Sequence, residues 1–347
     1  MLRQHSAHKL PGSPTCLRHI MHSGGNSASS TPRPRRRESG NSISNIAVMS
    51  VSLGLPLSLG KILAEVPHIF DRNALALKKA RSRSRGGQNF LAEEAVRGIA
   101  HRLMAANRTF PAALGIDLPD EAFMLVKDLG SGWSFASFDA NEKLEPASGD
   151  HALIVSILSL HAVSDLPGAL VQIRRALKPD GLFVAALFAG DTLRELRESF
   201  ATGEDQVRGG ISPRVSPFAD VRDLGSLLQR AGFALPVADT ERTLVRYRAF
   251  DTLVSDLRAA GETNILLGRA RNLLRRDVLA ASLAHYRKHH AEPDGRLRAT
   301  FDIAYLTGWA PHPSQQKPLV PGSAKARLAD ALGTREHNAG DLTPKRR

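Results

Sequence analysis

Three short stretches hold residue types that could do chemistry. The stretch MLVKDLGSGW, residues 124–133, is an apolar run ending in Asp128-Leu-Gly-Ser-Gly, the pattern of a strand feeding a glycine turn. Glycine lacks a Cβ, so such a turn lets backbone come close to a cofactor phosphate or nucleoside. A second stretch, FPAALGIDLPDE at 110–121, offers Gly115 and Asp117, but Leu118-Pro119-Asp120-Glu121 follows where a further glycine would be needed. Pro119 also removes a backbone donor. The third is ALIVSIL at 152–158, an apolar strand carrying Ser156 and followed by His161. A histidine just past such a strand stands at the sheet edge where ligands bind in open α/β folds, as a proton carrier or as packing beneath a ligand.

The elements that position these residues are legible from periodicity. In residues 88–106, Phe90, Leu91, Ala95, Ile99, Leu103 and Met104 fall on one helical face. The run 152–158 is apolar on both faces, as a central parallel strand is. Leu166 to Leu177 reads as an amphipathic helix stopped by Lys178-Pro179-Asp180-Gly181, and residues 182–188 form the next strand. Asp191 is placed to cap a following helix through about Phe200. Further on, 221–231, 250–260 and 279–290 read as helices, and 233–247 and 299–309 as strands. Strand, helix, Pro-Asp-Gly turn, strand, helix is the order of an α/β protein with parallel strands.

Spacing decides between the two glycine stretches. From Gly132 to Ala152 there are 20 steps. An intact cofactor half has to fit a helix, a strand and another helix there, and one helix of about 12 residues uses over half of them. DLGSG therefore reads as a turn closing a shortened second strand, FMLVKDL at 123–129.

Composition excludes several classes. Cys16 is the single cysteine of the 347 residues, so neither an internal disulfide nor a cysteine metal cluster can form. No apolar stretch approaches the ~20 residues that cross a bilayer. The formal charge of +13 invites a nucleic-acid reading. Much of the excess lies in the termini, and Arg81-Ser-Arg83-Ser-Arg85 has no interleaved aromatics to stack on bases; no nucleic-acid partner is expected. Residues 1–48 hold seven Lys or Arg and one acid, and lack periodicity. They read as a disordered basic tail, a targeting segment or an upstream extension before Met49. The expected layout is a single domain over 69–333 with a second basic tail at 334–347.

Residues 156–200, SILSLHAVSDLPGALVQIRRALKPDGLFVAALFAGDTLRELRESF, resemble the second half of a class I S-adenosylmethionine-dependent methyltransferase core. Together with 209–247, DLRAAGETN at 256–264, TGWAPHPSQQKPLVPGSA at 307–324, IFDRNAL at 69–75 and FLAEEAVRGIAHRL at 90–103, they resemble the NADH dehydrogenase (complex I) assembly factor 5 family. That family is related in fold to the malonyl-carrier-protein methyltransferase of biotin synthesis. The resemblance implies a Rossmann-like sheet, mostly parallel with an antiparallel last strand, flanked by helices. It also implies S-adenosylmethionine at the carboxyl ends of the first strands and a protein partner, a respiratory complex I subunit. The implied reaction is methylation or, as in the mitochondrial members, hydroxylation of an arginine. The implied compartment is the cytoplasm of a bacterium, or the mitochondrial matrix.

By the same resemblance, Gly115, Asp117, Asp128, Asp139, Ser156 and His161 are the cofactor-side candidates. Asp128 stands for the acid on the ribose hydroxyls and Asp139 for the acid near the adenine amine. Arg214, in the loop 209–214, and Trp309, His312 and Gln315, which with Ser314 and Lys317 follow the last predicted strand in a polar, Pro-rich, loop-like setting, are the candidates for substrate or partner contact. Because the family's Asp-Leu-Gly-x-Gly-x-Gly turn is missing after Gly115, S-adenosylmethionine is expected to bind weakly or not at all. Two alternatives stay open: a cofactor-free assembly scaffold, and the biotin-pathway methyltransferase.

Overall fold

The structure is a computed structural model that describes residues 67–335 apart from 87–88, 146–148, 317–322 and 324–325. The expected tail 1–48, and all of the second tail but residues 334 and 335, lie outside the described residues. Helices α1 (Arg72–Arg85) and α2 (Phe90–Ala106) precede a seven-stranded sheet. Its strands are β1 (Ala113–Ile116), β2 (Ser134–Phe138), β3 (Leu144–Glu145), β4 (His151–Ile157), β5 (Leu177–Ala189), β6 (Ala234–Tyr247) and β7 (Leu297–Trp309). Between them lie α3 (Asp120–Val126), α4 (Leu166–Ala176), α5 (Arg194–Arg208), α6 (Val221–Arg230), α7 (Phe250–Ala259) and α8 (Arg276–His290), and the short α9 (Leu328–Leu332) follows β7.

The strand order is β3-β2-β1-β4-β5-β7-β6. Strands β2, β1, β4 and β5 run parallel, and β7 is antiparallel to both β5 and β6. This is the expected mostly parallel Rossmann-like sheet, with one addition: the two-residue edge strand β3 is also antiparallel. Strand β4 meets β5 in parallel through α4, which Asp165 caps by accepting from Gly168 N–H at 2.9 Å. The Lys-Pro-Asp-Gly stop is drawn into β5 as an irregularity, the register jumping from His151–Leu177 to Leu153–Leu182.

Alternation along the strands feeds two cores. Leu153, Val155, Ile157, Val184, Ala186 and Phe188 pack on one side with α2, α5, α7 and α8. Leu114, Ile154, Phe183, Ala185 and Leu187 pack on the other with α4 and α6. Both faces of β4 and β5 are thus buried, which is why those strands lack polar alternation.

Three expectations are corrected. The segment 123–129 is not a strand but α3 and a short 3-10 turn, Lys127–Leu129. Ala122, Phe123, Val126 and Leu129 recur at helical spacing and pack inward, leaving Met124 and Leu125 exposed. Asp191 caps nothing: α5 starts at Arg194 after Leu193 in a left-handed conformation, and the Asp191 carboxylate accepts instead from Arg242 at 2.8 Å. Met104 is 66% exposed, at the end of the buried stripe of α2.

Candidate functional site

The carboxyl ends of β1, β2 and β4 open toward α1 and the loop after α7. After β4 the chain turns through Leu158, in a left-handed conformation, and enters the 3-10 turn Leu160–Ala162. That turn delivers His161 to the end of the sheet with 6% of its side chain exposed. Its ring lies 5.0 Å from Phe188 and 6.0 Å from Phe218. Ser156, fully buried one turn earlier, shares a hydrogen bond of 3.0 Å with Ser159 and so braces the bend without facing a ligand.

His161 Nε2 meets Glu262 Oε2 at 3.0 Å. Sequence reasoning missed Glu262, although DLRAAGETN had been singled out; the signal available was a helix ending in Gly followed by an acid. Helix α7 closes with Gly261 at φ 76°, and Glu262 N–H donates back to Leu257 C=O at 2.8 Å. This reverse turn needs glycine at the left-handed position and fixes where the next side chain points.

Around this pair lies a cavity of about 170 Å³, walled by Phe70, Phe188, Phe218 and Leu196 and roofed by the loops 214–218 and 261–265. Asn264 ties the two loops by donating to Pro213 C=O at 2.7 Å. The first loop is fastened from beneath by Glu204, which is fully buried. Its carboxylate accepts from Ser212 N–H at 2.6 Å, from the Ser212 hydroxyl at 2.7 Å and from Arg214 Nε at 2.9 Å. Burial pushes the Glu204 carboxyl up, but the Ser212 and Arg214 bonds outweigh it and hold the group below the usual carboxylate range. Arg214 thereby reaches the rim of the cavity with its charge matched.

A second cavity, about 60 Å³, lies on the other side of Glu262 over Pro119, Ile157 and Leu158, with Lys79 and Arg83 of α1 in its wall. Burial pulls the Lys79 ammonium below the ordinary lysine range, while the charges of Asp117 and Glu262 pull it back up. Lys79 lies in no motif, and Arg72 lies within IFDRNAL without having been singled out as a site residue.

The cofactor-side candidates are filled from within. A Cβ on Gly115 would stand 2.9 Å from Leu118 Cδ2 and 3.1 Å from Phe135 Cδ1, so the chain's own side chains take the close approach that this glycine offers. Arg72 of α1 bridges the ends of β1 and β2, 3.3 Å from Asp117 Oδ2 and 2.9 Å from Phe138 C=O. Asp139 accepts from Asn141 N–H at 2.9 Å and Lys143 N–H at 2.7 Å, closing its own turn. Leu118, Phe135 and Arg72 thus occupy the approach and pair the acid that an open glycine turn would leave free.

The remaining candidates lie at the opposite edge of the sheet. Asp128 and the DLGSG turn follow α3 and lead into β2, with Ser131 exchanging backbone bonds with Phe110 and Ala113 at the amino end of β1. The glycine stretch is therefore a helix-to-strand turn, and Asp128 is separated from Asp117 and Asp139 by the length of the strands. Because β7 is antiparallel, its end also falls at this amino edge. There Arg108 lies 4.9 Å over the Trp309 ring, Gln315 donates to Asp180 Oδ1 at 2.9 Å, and His312 Nδ1 pairs with Ser314 Oγ at 2.7 Å. The structure thus gathers Gly115, Asp117, Asp139, Ser156, His161 and Arg214 on one edge and sets Asp128, Trp309, His312 and Gln315 on the other. Lys317 lies outside the described residues.

Residues 80–236 match the methyltransferase domain family. The chain is 38% identical to "Arginine-hydroxylase NDUFAF5, mitochondrial" of Mus musculus over 306 residues, 81% of this chain and 88% of that one. It is 45% identical to the Dictyostelium discoideum protein of the same name over 197 residues, 56% of this chain and 44% of that one. It is 36% identical to a malonyl-[acyl-carrier protein] O-methyltransferase of Laribacter hongkongensis over 181 residues, 52% of this chain and 58% of that one. Among the described residues no helix is long and apolar enough to cross a membrane, and no cluster of His, Cys, Asp or Glu is arranged to hold a metal ion.

Proposed function

The chain belongs to the NDUFAF5 family, built on a methyltransferase fold, and from that premise we propose that it acts on a protein partner in the assembly of respiratory complex I, with its affinity for S-adenosylmethionine reduced or lost. The mouse relative's name gives arginine as the acceptor, and we carry that acceptor to this chain without assigning a chemical step. The work would be done in the compartment where the complex is built, the cytoplasm of a bacterium or the mitochondrial matrix.

One observation carries the reading. On a single sheet edge, Leu118 and Phe135 fill the close approach at Gly115 and Arg72 holds Asp117, while the neighbouring cavity at His161 and Glu262 stays open. A methyltransferase fold that keeps its acceptor side and fills its donor side retains partner recognition and gives up cofactor affinity. A cofactor-free scaffold is the second reading, favoured by the same filling. The biotin-pathway reading is weaker: identity to the malonyl-carrier-protein enzyme spans about half of this chain, whereas identity to the mouse relative spans 81%.

Cells deleted for this gene test the assembly role. Complex I abundance, read by in-gel NADH oxidation, should fall on deletion and return with the wild-type chain. Normal complex I in the deleted cells would end the proposal.

A further inference from the structure

The cavity at the end of β4 carries its own account of what it can hold. Its walls are aromatic and aliphatic, and three ionisable side chains reach it: His161, Arg214 and Glu262. Arg214 is matched by Glu204 through Nε at 2.9 Å and a second bond from Nη2. The Glu262 carboxylate also lines the space, with the Lys79 ammonium on its far side. His161 Nε2 holds one of the carboxylate oxygens, Oε2, at 3.0 Å.

The imidazole tautomer follows from the partner. A carboxylate only accepts, so Nε2 carries the proton in that bond, and in the neutral ring Nδ1 is an acceptor. Nδ1 is buried with no hydrogen-bond partner among the described residues. Beside the Arg214 guanidinium that Glu204 holds, the site presents the Glu262 carboxylate and aromatic side chains. Phe70, Phe188 and Phe218 line it, and aromatic rings attract cations, as the Arg197 guanidinium 5.8 Å from the Phe218 centroid illustrates. A carboxylate or phosphate guest would meet the Glu262 carboxylate, while Arg214, the guanidinium at the rim, is already paired with Glu204. A planar guanidinium has five donors and no acceptor, and it is more weakly hydrated than an ammonium, so it loses less on entering an apolar cavity. Lys79 lies across Glu262 in the second cavity and does not displace His161 from it.

We infer that Glu262 is the specificity-determining residue of this site: its carboxylate receives the guanidinium of an arginine side chain, His161 is the positioning residue that turns it toward the cavity, and Phe218 forms part of the aromatic wall over the cation. The inference rests on the reading that the acceptor is a protein arginine, and adds which residues select it. The loop architecture fits this role. Gly261 and the α7 closure fix the Glu262 backbone, and Asn264 locks that loop to the one that ends in Phe218.

The test uses the full chain and two capped tripeptides, acetyl-Gly-Arg-Gly-amide and its citrulline isostere, in titration calorimetry. Citrulline keeps the shape and replaces one donor edge by an acceptor, so the arginine peptide should bind at least ~10-fold more tightly. Glu262→Gln should bring the arginine peptide down to the citrulline level with the melting temperature retained. His161→Leu should reduce the preference, and His161→Gln, which keeps a donor at the Nε2 position, should restore it. Phe218→Leu should weaken arginine more than citrulline. Equal binding of the two peptides overturns the inference without recourse to any variant. So does failure of both to bind up to ~10 mM, or a folded Glu262→Gln chain that keeps the preference. A peptide preference that fails while complex I assembly still depends on the protein removes this assignment alone; an intact preference with normal complex I in deleted cells removes the assembly role alone.

Discussion

Glu204→Gln tests how the cavity roof is held. The wild-type carboxylate is fully buried and takes bonds from Ser212 N–H, the Ser212 hydroxyl and Arg214. A glutamine of the same shape turns an NH₂ toward donors, so about two of these bonds are lost. Bonds to a charged partner contribute about 1.5–3 kcal/mol each. The Arg214 side chain is 20% exposed, and water can replace part of what it loses, so the low end applies and the cost is about 3 kcal/mol, at the bottom of the range for breaking a buried pair. In a domain of this size each kcal/mol moves the melting temperature by ~2–4 °C, giving a fall of roughly 6–12 °C. Because the folded carboxyl is held below its unfolded value of 4.5, its contribution is present above that pH and is lost as the pH falls through the folded value. The substitution should therefore cost most at neutral pH and progressively less in acid. Calorimetric melts from pH 7 to 3, with trypsin nicking after Arg208 and Arg214 as a local readout, measure both. A melting temperature within ~2 °C of wild type at neutral pH, with unchanged nicking, would refute the reasoning.

Two further outcomes are expected. Gly261→Ala puts a Cβ at φ 76° and should cost about 1–2 kcal/mol; thermal melts and weakened arginine-peptide binding together report it, and unchanged binding would mean that the α7 closure does not set Glu262. Gln315→Ala removes the largest of the contacts that hold the Asp180 carboxyl down, costing about 1 kcal/mol at neutral pH and less as the pH drops below the carboxylate range; since Gln315 sits at the amino edge, peptide binding at the other edge should be untouched.

The strands and most helices were legible because their apolar periods are strong. ALIVSIL and LFVAALF are apolar on both faces, and α4 is bounded by Asp165 and by the Lys-Pro-Asp-Gly segment. The second strand was misread because Phe123 to Leu129 is a short mixed run in which alternation and helical spacing compete; tertiary burial of Ala122 and Val126 decided it. The candidate site was half legible. His161 was found from its place after a strand. Glu262, Arg72 and Lys79 were not, since they reach the site from loops and a helix distant in sequence, and spacing says nothing of such encounters. Trp309, His312 and Gln315 were grouped with Arg214 by their loop-like setting, but the antiparallel direction of β7 carries them to the far edge.

The central claim is that the donor side of this fold is filled while the acceptor side is open. Titration calorimetry of S-adenosylmethionine into cofactor-stripped protein tests it most directly. Three close contacts at about 1 kcal/mol each are already made within the chain, so binding should be at least ~10²-fold weaker than in a relative with an open glycine turn, and Leu118→Ala should recover part of it. One-to-one binding in the low-micromolar range, indifferent to Leu118→Ala, would contradict the account.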